Sequence, residues 1–416
     1  MKRIVLIGLT AIFSVALLAT GIFAVISHRS DYYIGKFDPL IPQLMEQYKV
    51  PGVAVSLVQN GEAVWTKSYG LADREQTIPV TDETVFQVAS ISKAVTSWGV
   101  MKLVESGRLE LDAPVEQYLK RWHLPPSQYD ASGVTVRRLL SHSAGLNVEG
   151  YPGLPPDAEL PSLQASLDGN NGGAGALRIV MEPGAQFSYS GGGFTLLQLI
   201  IEEVTGESFS AYMQRNVLDP LGMTHSSFDW RADLRPATAI AYSEMGHPLP
   251  NYLFTEKAAA GLYTTAEDLA RFIAAEMPGP DGEPAGRGVL SPDTLTLMST
   301  PVIQSQGLGQ GVFKLPDGSR KIEHSGKNQG WVAVISANPK HAVGIVVLTN
   351  SDNGAALLKE IYRDWSRYLF MEFPIRILIL ILTLGVLICA ISLIRMNARK
   401  RRSKEDLPGV VVLTNG

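Results

Sequence analysis

A serine and a lysine three residues apart, Ser90 and Lys93, are the side chains whose types and spacing most directly suggest chemistry. Three residues are close to one helical turn, so both side chains would lie on one face of a helix. A serine hydroxyl is a poor nucleophile unless a base lies within hydrogen-bonding reach; a lysine one turn away can be that base or can stabilise another one. The alternative is a capping serine followed by a surface lysine, so the neighbouring segments must decide.

Two further segments could supply the proton shuttle and the oxyanion donors that acyl transfer needs. Tyr189 lies in a glycine-rich turn before a helical pattern, and a phenol, with a pKa of about 10, can act as a base where a cation such as Lys93 stabilises the phenolate. His324 is followed by Ser325 and Gly326, just before a strand pattern. Such a triplet can present backbone N–H groups and an imidazole to a ligand, although a tyrosine or histidine taken alone is more often structural.

Composition excludes several other classes of function. The chain has 416 residues, a formal net charge of −4 and one cysteine, Cys389. Without a basic stripe, nucleic-acid binding is not expected, and no glycine-rich nucleotide loop or zinc-ligand spacing is present. No metal or organic cofactor is implied, no intrachain disulfide can form, and the oligomeric state stays open.

Both ends of the chain have the composition of membrane segments. The run from Ile4 to Ile26 carries no charge, follows Lys2 and Arg3, and exceeds the roughly 7–15 residues of a signal-peptide core. Residues 1–30 are therefore interpreted as an uncleaved anchor in preference to a cleaved signal peptide. A second apolar run at 375–394 precedes a basic tail at 395–416, which predicts a transmembrane helix with a cytoplasmic tail rather than a buried core helix. Residues 31–370 would then form an extracytoplasmic domain.

The pattern between these ends predicts an α+β fold. A helical stripe at 37–48 precedes a β-hairpin at 53–65, and a second hairpin, Trp331–Ile335 with Val343–Leu348, precedes a helix at about 354–370. We expect the two hairpins to share one antiparallel sheet, with the first and last helices on one face, beside a mostly helical domain at 81–290. The Pro/Gly-rich segment 151–176 is either a loop lining a cleft or a mobile surface loop.

With these segments in place, the chain resembles the superfamily of class C β-lactamases and low-molecular-weight penicillin-binding proteins. Beyond the pair Ser90 and Lys93, further blocks match in family order: Leu103–Val115, Val134–Leu146, Gly206–Phe209, Pro220–Met223 and Ala260–Leu269. The resemblance implies a β-lactamase/transpeptidase-like fold, with the cleft between an antiparallel sheet and a helical domain. It also implies packing as the role of His142, which lies in one of these blocks.

The resemblance assigns roles to the candidate residues. Ser90 matches the family nucleophile, Lys93 its partner lysine and Tyr189 the general base of the second motif. The triplet from His324 to Gly326, which contains Ser325, matches the third motif. The backbone N–H groups of Ser90 and Lys327 would form the oxyanion hole.

Two departures argue against an efficient β-lactamase. Gly191 stands where the second motif has an asparagine that contacts the substrate's acylamide, and His324 replaces a lysine that would attract a carboxylate. The sequence therefore predicts a membrane-anchored serine hydrolase of amides or esters, with cell-wall D-amino-acid peptides, small esters and β-lactams as candidate substrates. A non-catalytic penicillin-binding-like protein of the cell envelope is the alternative.

Overall fold

The computed structural model describes residues 29–366 and a few isolated positions between 383 and 395. Among these residues, no helix is long and apolar enough to cross a membrane. The predicted membrane segments at 1–30 and 375–394 and the basic tail at 395–416 lie outside the described residues, apart from their edges and those isolated positions. The limits of the predicted domain at 31–370 stay a prediction.

A seven-stranded antiparallel sheet lies at the centre of the unit from Ile34 to Trp365, in the order β3-β2-β1-β11-β10-β9-β8. Two short strand pairs, β4 with β7 and β5 with β6, lie outside it. The strands are β1 Gly52–Gln59, β2 Glu62–Asp73, β3 Ile78–Pro79, β4 Phe86–Gln87, β5 Ala241–Tyr242, β6 Pro248–Leu249, β7 Tyr263–Thr264, β8 Gly311–Lys314, β9 Arg320–Asn328, β10 Trp331–Asn338 and β11 Val343–Thr349.

Most helices of the described region lie between β4 and β8. They are α1 Arg29–Tyr48, α2 Ile91–Glu105, α3 Val136–Leu140, α4 Leu163–Leu167, α5 Gly191–Thr205, α6 Phe209–Met213, α7 Lys257–Ala260, α8 Ala266–Ala274 and α9 Pro292–Met298. A further helix is described from residue 354 to residue 366. The regular structure in the middle of the chain is therefore mainly helical, as predicted, but most residues of 81–290 lie in turns and loops, so this range is less helical than the sequence pattern indicated.

The two predicted hairpins are confirmed, and β1 pairs with β11, so both belong to one sheet as expected. Asn60 and Gly61 connect β1 to β2 with φ values of 54° and 75°, as a two-residue hairpin turn requires. The sequence did not reveal β8 and β9. Because β8 pairs only with the first part of β9, residues 324–328 have no strand neighbour on their outer edge.

The first and last helices of the unit lie on one face of the sheet, as predicted. On α1, Asp38 accepts hydrogen bonds from Lys67 and Tyr69 of β2, and Trp365 donates to Ser336 of β10. The strand register places these β2 and β10 side chains on the same face. The opposite face packs on α8 and on the helical layer that contains α2 and α5.

Strand β9 approaches the start of α2 through a position that only glycine can fill. A Cβ atom added to Gly326 would lie 2.1 Å from the carbonyl oxygen of Val88 and 3.1 Å from the backbone nitrogen of Ser90. Gly326 therefore lets the backbone of the sheet touch the segment that enters α2. This contact places the third sequence motif beside the first.

We predict that Gly326→Ala lowers the free energy of unfolding by about 1–3 kcal/mol, because the new methyl group overlaps backbone atoms that cannot rotate away. The same steric overlap should displace Ser90 and reduce the rate at which a serine-directed probe labels it. Thermal or urea unfolding and a labelling rate would measure both effects.

Gly35→Ala is the matched control, since Gly35 lies on α1 and has no atom within 4 Å of the position that a Cβ would take. This change should stabilise the helix by about 0.5–1 kcal/mol. Equal effects of the two substitutions would contradict a specific contact between β9 and α2.

Candidate active site

Ser90 and Lys93 form a contact at the start of α2. Ser90 is the N-cap residue, but its side chain accepts no capping hydrogen bond, so its hydroxyl does not cap the start of the helix. The Lys93 Nζ donates to the Ser90 Oγ at 3.1 Å. The alternative of a capping serine beside a surface lysine is therefore wrong: Lys93 is 2% exposed, whereas Ser90 is half-buried.

The Lys93 ammonium is held by groups from other parts of the chain. It donates a hydrogen bond of 2.7 Å to the carbonyl oxygen of Ala259 on α7. The same Nζ lies 5.1 Å from the ring centroid of Tyr189 and 5.8 Å from that of Phe194, within the range of cation–π attraction. A buried cation needs such partners, and here they also direct it at Ser90.

A buried glutamine positions the carbonyl group that Lys93 uses. Gln198 on α5 accepts from the backbone N–H of Ala258 at 3.0 Å and donates to the carbonyl oxygen of Thr255 at 3.0 Å. The neighbouring Thr96 hydroxyl on α2 donates to the Ala258 carbonyl. The short helix α7 is thus attached to both α2 and α5, which fixes the direction of the Ala259 carbonyl.

The backbone around the serine is strained and has a free donor. Ala89 has a φ of 48°, in the left-handed region that residues with a Cβ adopt rarely. Within the described part of the chain, the Ser90 N–H donates to no backbone or side-chain acceptor. An N–H group beside a nucleophile and without a protein acceptor is available to an oxyanion.

Tyr189 and Ser90 line the same open cleft, which has a volume of about 580 Å³. Tyr189 lies in the segment just before α5 and is half-buried. The other residues that line the cleft are Glu149, Gly150, Gln306, Gly311, Phe313, Glu323, His324, Ser325 and Lys327. The three sequence motifs therefore meet in one place.

His324 contributes a neutral ring to the cleft. Its Nδ1 lies 2.8 Å from the carbonyl oxygen of Ser325, so Nδ1 carries the hydrogen. Burial, together with the nearby charge of Lys93, lowers the pKa of His324 to about 4. At neutral pH this position therefore offers an uncharged imidazole, whose Nε2 is an acceptor, and no cation for a substrate carboxylate.

The other residues of the third motif lie along the open edge of β9. Ser325 and Lys327 are exposed and line the cleft, and Gly326 is buried against the segment that carries Ser90. Lys327 is the residue directly after this contact. Its assignment as the second oxyanion donor agrees with that position and stays a prediction.

Gly191 lies beside the cleft wall but is buried. Its N–H donates to the carbonyl oxygen of Glu149 at 3.0 Å, and an added Cβ would lie 2.9 Å from that oxygen and 3.4 Å from Tyr151. The backbone at Glu149 therefore occupies the space that a side chain at position 191 would need. The structure does not bring Gly191 into the cleft with the other predicted site residues.

Sequence reasoning missed three kinds of contributor to the site. The cleft residues Gln306 and Phe313 belong to the region of β8 and have no motif that signals them. Ala259 acts through its carbonyl, although the block that begins one residue later marked this region. The ring of His142 lies 4.3 Å from that of Tyr189, closer to the chemistry than a packing role implies.

Segment 151–176 contributes little to the cleft in the described structure. The cleft is lined by Glu149 and Gly150, which come just before this segment in the sequence. Gln329 donates to the carbonyl oxygen of Pro152, and Leu154 pairs with Leu253, so the start of the segment is held by the protein. The cleft-loop interpretation therefore fits only the residues that precede it.

Known proteins are similar to this chain in both sequence and fold. A family model described as Beta-lactamase matches residues 37–367. Protein flp of Staphylococcus aureus strain N315 is 28% identical over 330 residues, which are 76% of this chain and 62% of that relative. The chain thus spans less than two thirds of the length of this curated relative.

Solved structures superpose on the same region. The octameric penicillin-binding protein homologue from Pyrococcus abyssi has a TM-score of 0.65 and 29% identity, over 77% of this chain and 74% of that chain. A class C beta-lactamase has a TM-score of 0.64 and 25% identity, over 76% and 91% of the two chains. The resemblance drawn from the sequence blocks is confirmed, and because the family match covers most of the chain, this protein belongs to the beta-lactamase family, within the superfamily of β-lactamase-like and penicillin-binding-protein-like serine hydrolases.

Proposed function

We propose that this protein is a serine hydrolase that acts on amide or ester substrates through an acyl-enzyme on Ser90. The observation that carries the proposal is the buried Lys93 ammonium, 3.1 Å from the Ser90 hydroxyl and fixed there by the Ala259 carbonyl. A lysine removed from water and directed at a serine has no evident structural use, whereas nucleophilic catalysis needs that arrangement.

In the proposed reaction, Tyr189 accepts the proton from the Ser90 hydroxyl while the oxygen attacks the substrate carbonyl carbon. Lys93, near the Tyr189 ring, stabilises the negative charge that this role requires. The oxyanion binds to the N–H groups of Ser90 and Lys327. The bond to the leaving amine or alcohol then breaks as Tyr189 returns the proton to that group. In the second half of the cycle, Tyr189 accepts a proton from water, the water oxygen attacks the acyl carbon, and the proton passes to the Ser90 oxygen as the ester bond breaks.

The polarity of the cleft argues against efficient turnover of β-lactams. An asparagine amide is missing at Gly191, and neutral His324 provides no positive charge for a carboxylate. Cell-wall D-amino-acid peptides and small esters are the classes that we propose, with β-lactams as slow substrates. These features change what is bound and leave Ser90, Lys93 and Tyr189 in place.

We predict that a fluorophosphonate forms one covalent adduct with the full-length chain in detergent, and that Ser90→Ala abolishes it. Tyr189→Phe should slow the labelling by about 10²- to 10⁴-fold, because the proton acceptor is lost. Intact-mass spectrometry would count adducts and give the rates. A folded protein that forms no adduct would contradict the proposal and favour the non-catalytic binding protein.

Glu149 provides a second test, which concerns the substrate. Glu149 is exposed and lines the cleft, and its carboxylate forms no hydrogen bond or ion pair with the described residues. We therefore expect a preference for substrates with a free amino group near the scissile bond. Glu149→Gln should lower the ratio of kcat/KM for D-alanine p-nitroanilide over its N-acetyl form by about three- to fivefold, as an exposed ion pair allows.

Glu182→Gln is the control for Glu149→Gln, since Glu182 is an exposed glutamate that does not line the cleft. It removes the same charge from the protein and should leave the ratio unchanged. If both variants change the ratio equally, or neither does, Glu149 does not select the amino group.

We also propose that the domain is tethered to a membrane on its extracytoplasmic side, with both termini in the cytoplasm. The uncharged run from Ile4 to Ile26 and the apolar run at 375–394 with its basic tail support this proposal. We predict that the chain stays in the membrane pellet after alkaline carbonate extraction and that protease added outside intact cells digests residues 31–370. Release by carbonate would contradict the tether.

A further inference from the structure

His142 is a buried imidazole in contact with the tyrosine of the site. It is 2% exposed, and its ring centroid lies 4.3 Å from that of Tyr189 at an interplanar angle of 33°. Phe187 and Phe194 surround the same ring at 6.0 and 5.3 Å. A hydrophobic side chain would fill this space equally well, so packing alone does not require a histidine.

The polar atoms of His142 bind the backbone on both sides of Tyr189. The carbonyl oxygen of His142 accepts from the N–H of Ser188 at 2.7 Å, and its Nδ1 accepts from the N–H of Ser190 at 3.1 Å. One residue therefore fixes the peptide units before and after the tyrosine while its ring contacts the phenol ring. His142 has a φ of 53°, which turns its backbone and its side chain toward the same segment.

These contacts define the protonation state of the ring. Because Nδ1 accepts a hydrogen bond, the neutral imidazole carries its hydrogen on Nε2. Burial, and then the nearby charge of Lys93, hold the pKa of His142 well below its ordinary range. The buried Nε2 has no hydrogen-bond partner in the described structure, which is uncommon for a buried polar atom.

We propose that His142 is a positioning residue for the reaction, which holds the phenol of Tyr189 in place beside Lys93 in the cleft. This inference rests on the proposed role of Tyr189 as proton acceptor. Ser190 adds to the same support, since its hydroxyl donates to the carbonyl oxygen of Asn147 and accepts from the N–H of Gly193. The tyrosine is thus held by its neighbours on both sides, and His142 is the one that also touches its ring.

Two substitutions separate the contributions of His142. His142→Phe keeps an aromatic ring against Tyr189 but removes the acceptor for the Ser190 N–H. His142→Asn keeps an acceptor near that N–H and tolerates a positive φ, but it removes the ring. We expect each to slow fluorophosphonate labelling of Ser90 by about ten- to a hundredfold, and ester hydrolysis to lose kcat with little change in KM.

A double-mutant cycle with Tyr189→Phe tests whether the effect passes through the tyrosine. We expect no further loss when either His142 substitution is added to Tyr189→Phe, because the proton acceptor is already absent. We also expect the pH profile of labelling to shift in the single His142 variants. Full activity of both variants, or equal losses with and without Tyr189, would overturn the proposal.

Trp122→Phe is the matched control: it removes one partly buried hydrogen bond, from Trp122 to Asp168, away from the site. It should lower the thermal midpoint but leave the labelling rate unchanged. If the His142 variants do not fold, histidine-selective ¹⁵N NMR of the wild-type protein still tests the idea. A His142 imidazole protonated on Nδ1 near pH 7 would overturn it.

The outcomes for the proposed function are distinct. If Ser90→Ala abolishes the adduct but both His142 variants are labelled at the normal rate, the proposed role of His142 is wrong and the proposed hydrolase function is supported. An adduct that persists in Ser90→Ala would contradict the proposed acyl-enzyme on Ser90.

Discussion

The ammonium group of Lys93 is a positive charge almost entirely removed from water. The segments packed around it supply the groups that stabilise this charge. A buried charge without partners costs several kcal/mol, so the fold must bring acceptors to it. The Ala259 carbonyl, the Ser90 hydroxyl and the face of Tyr189 provide them. Each comes from a different segment, so the site exists only where these segments meet.

Close backbone contacts make that meeting possible. Gly326 lets β9 touch the entry to α2, and Ala89 takes a strained left-handed conformation one residue before Ser90. Both features lie beside Ser90, whose backbone N–H has no acceptor among the described residues. Such contacts tolerate little change in size, because the atoms they bring together are backbone atoms that cannot rotate away.

The polarity of the cleft differs from that of the family pattern in a consistent direction. At Gly191 an amide donor is missing, and the backbone of Glu149, a residue that lines the cleft, fills the space that a side chain would need. At His324 a cation is replaced by a ring that stays neutral at physiological pH. Ser90, Lys93 and Tyr189 thus keep the family residue types, while two of the groups expected to bind a substrate differ.

The amino-acid sequence by itself determined the fold class, both central hairpins, the shared sheet and the three motifs with Ser90, Lys93, Tyr189 and His324. Hydrophobic periodicity and short motif spacings are local, so they can be read along the chain. The tertiary structure alone decided the strands β8 and β9, the carbonyl that binds Lys93, the burial of Gly191 and the contact of His142 with Tyr189. These depend on segments far apart in the chain, and which backbone groups face one another is set only when those segments pack.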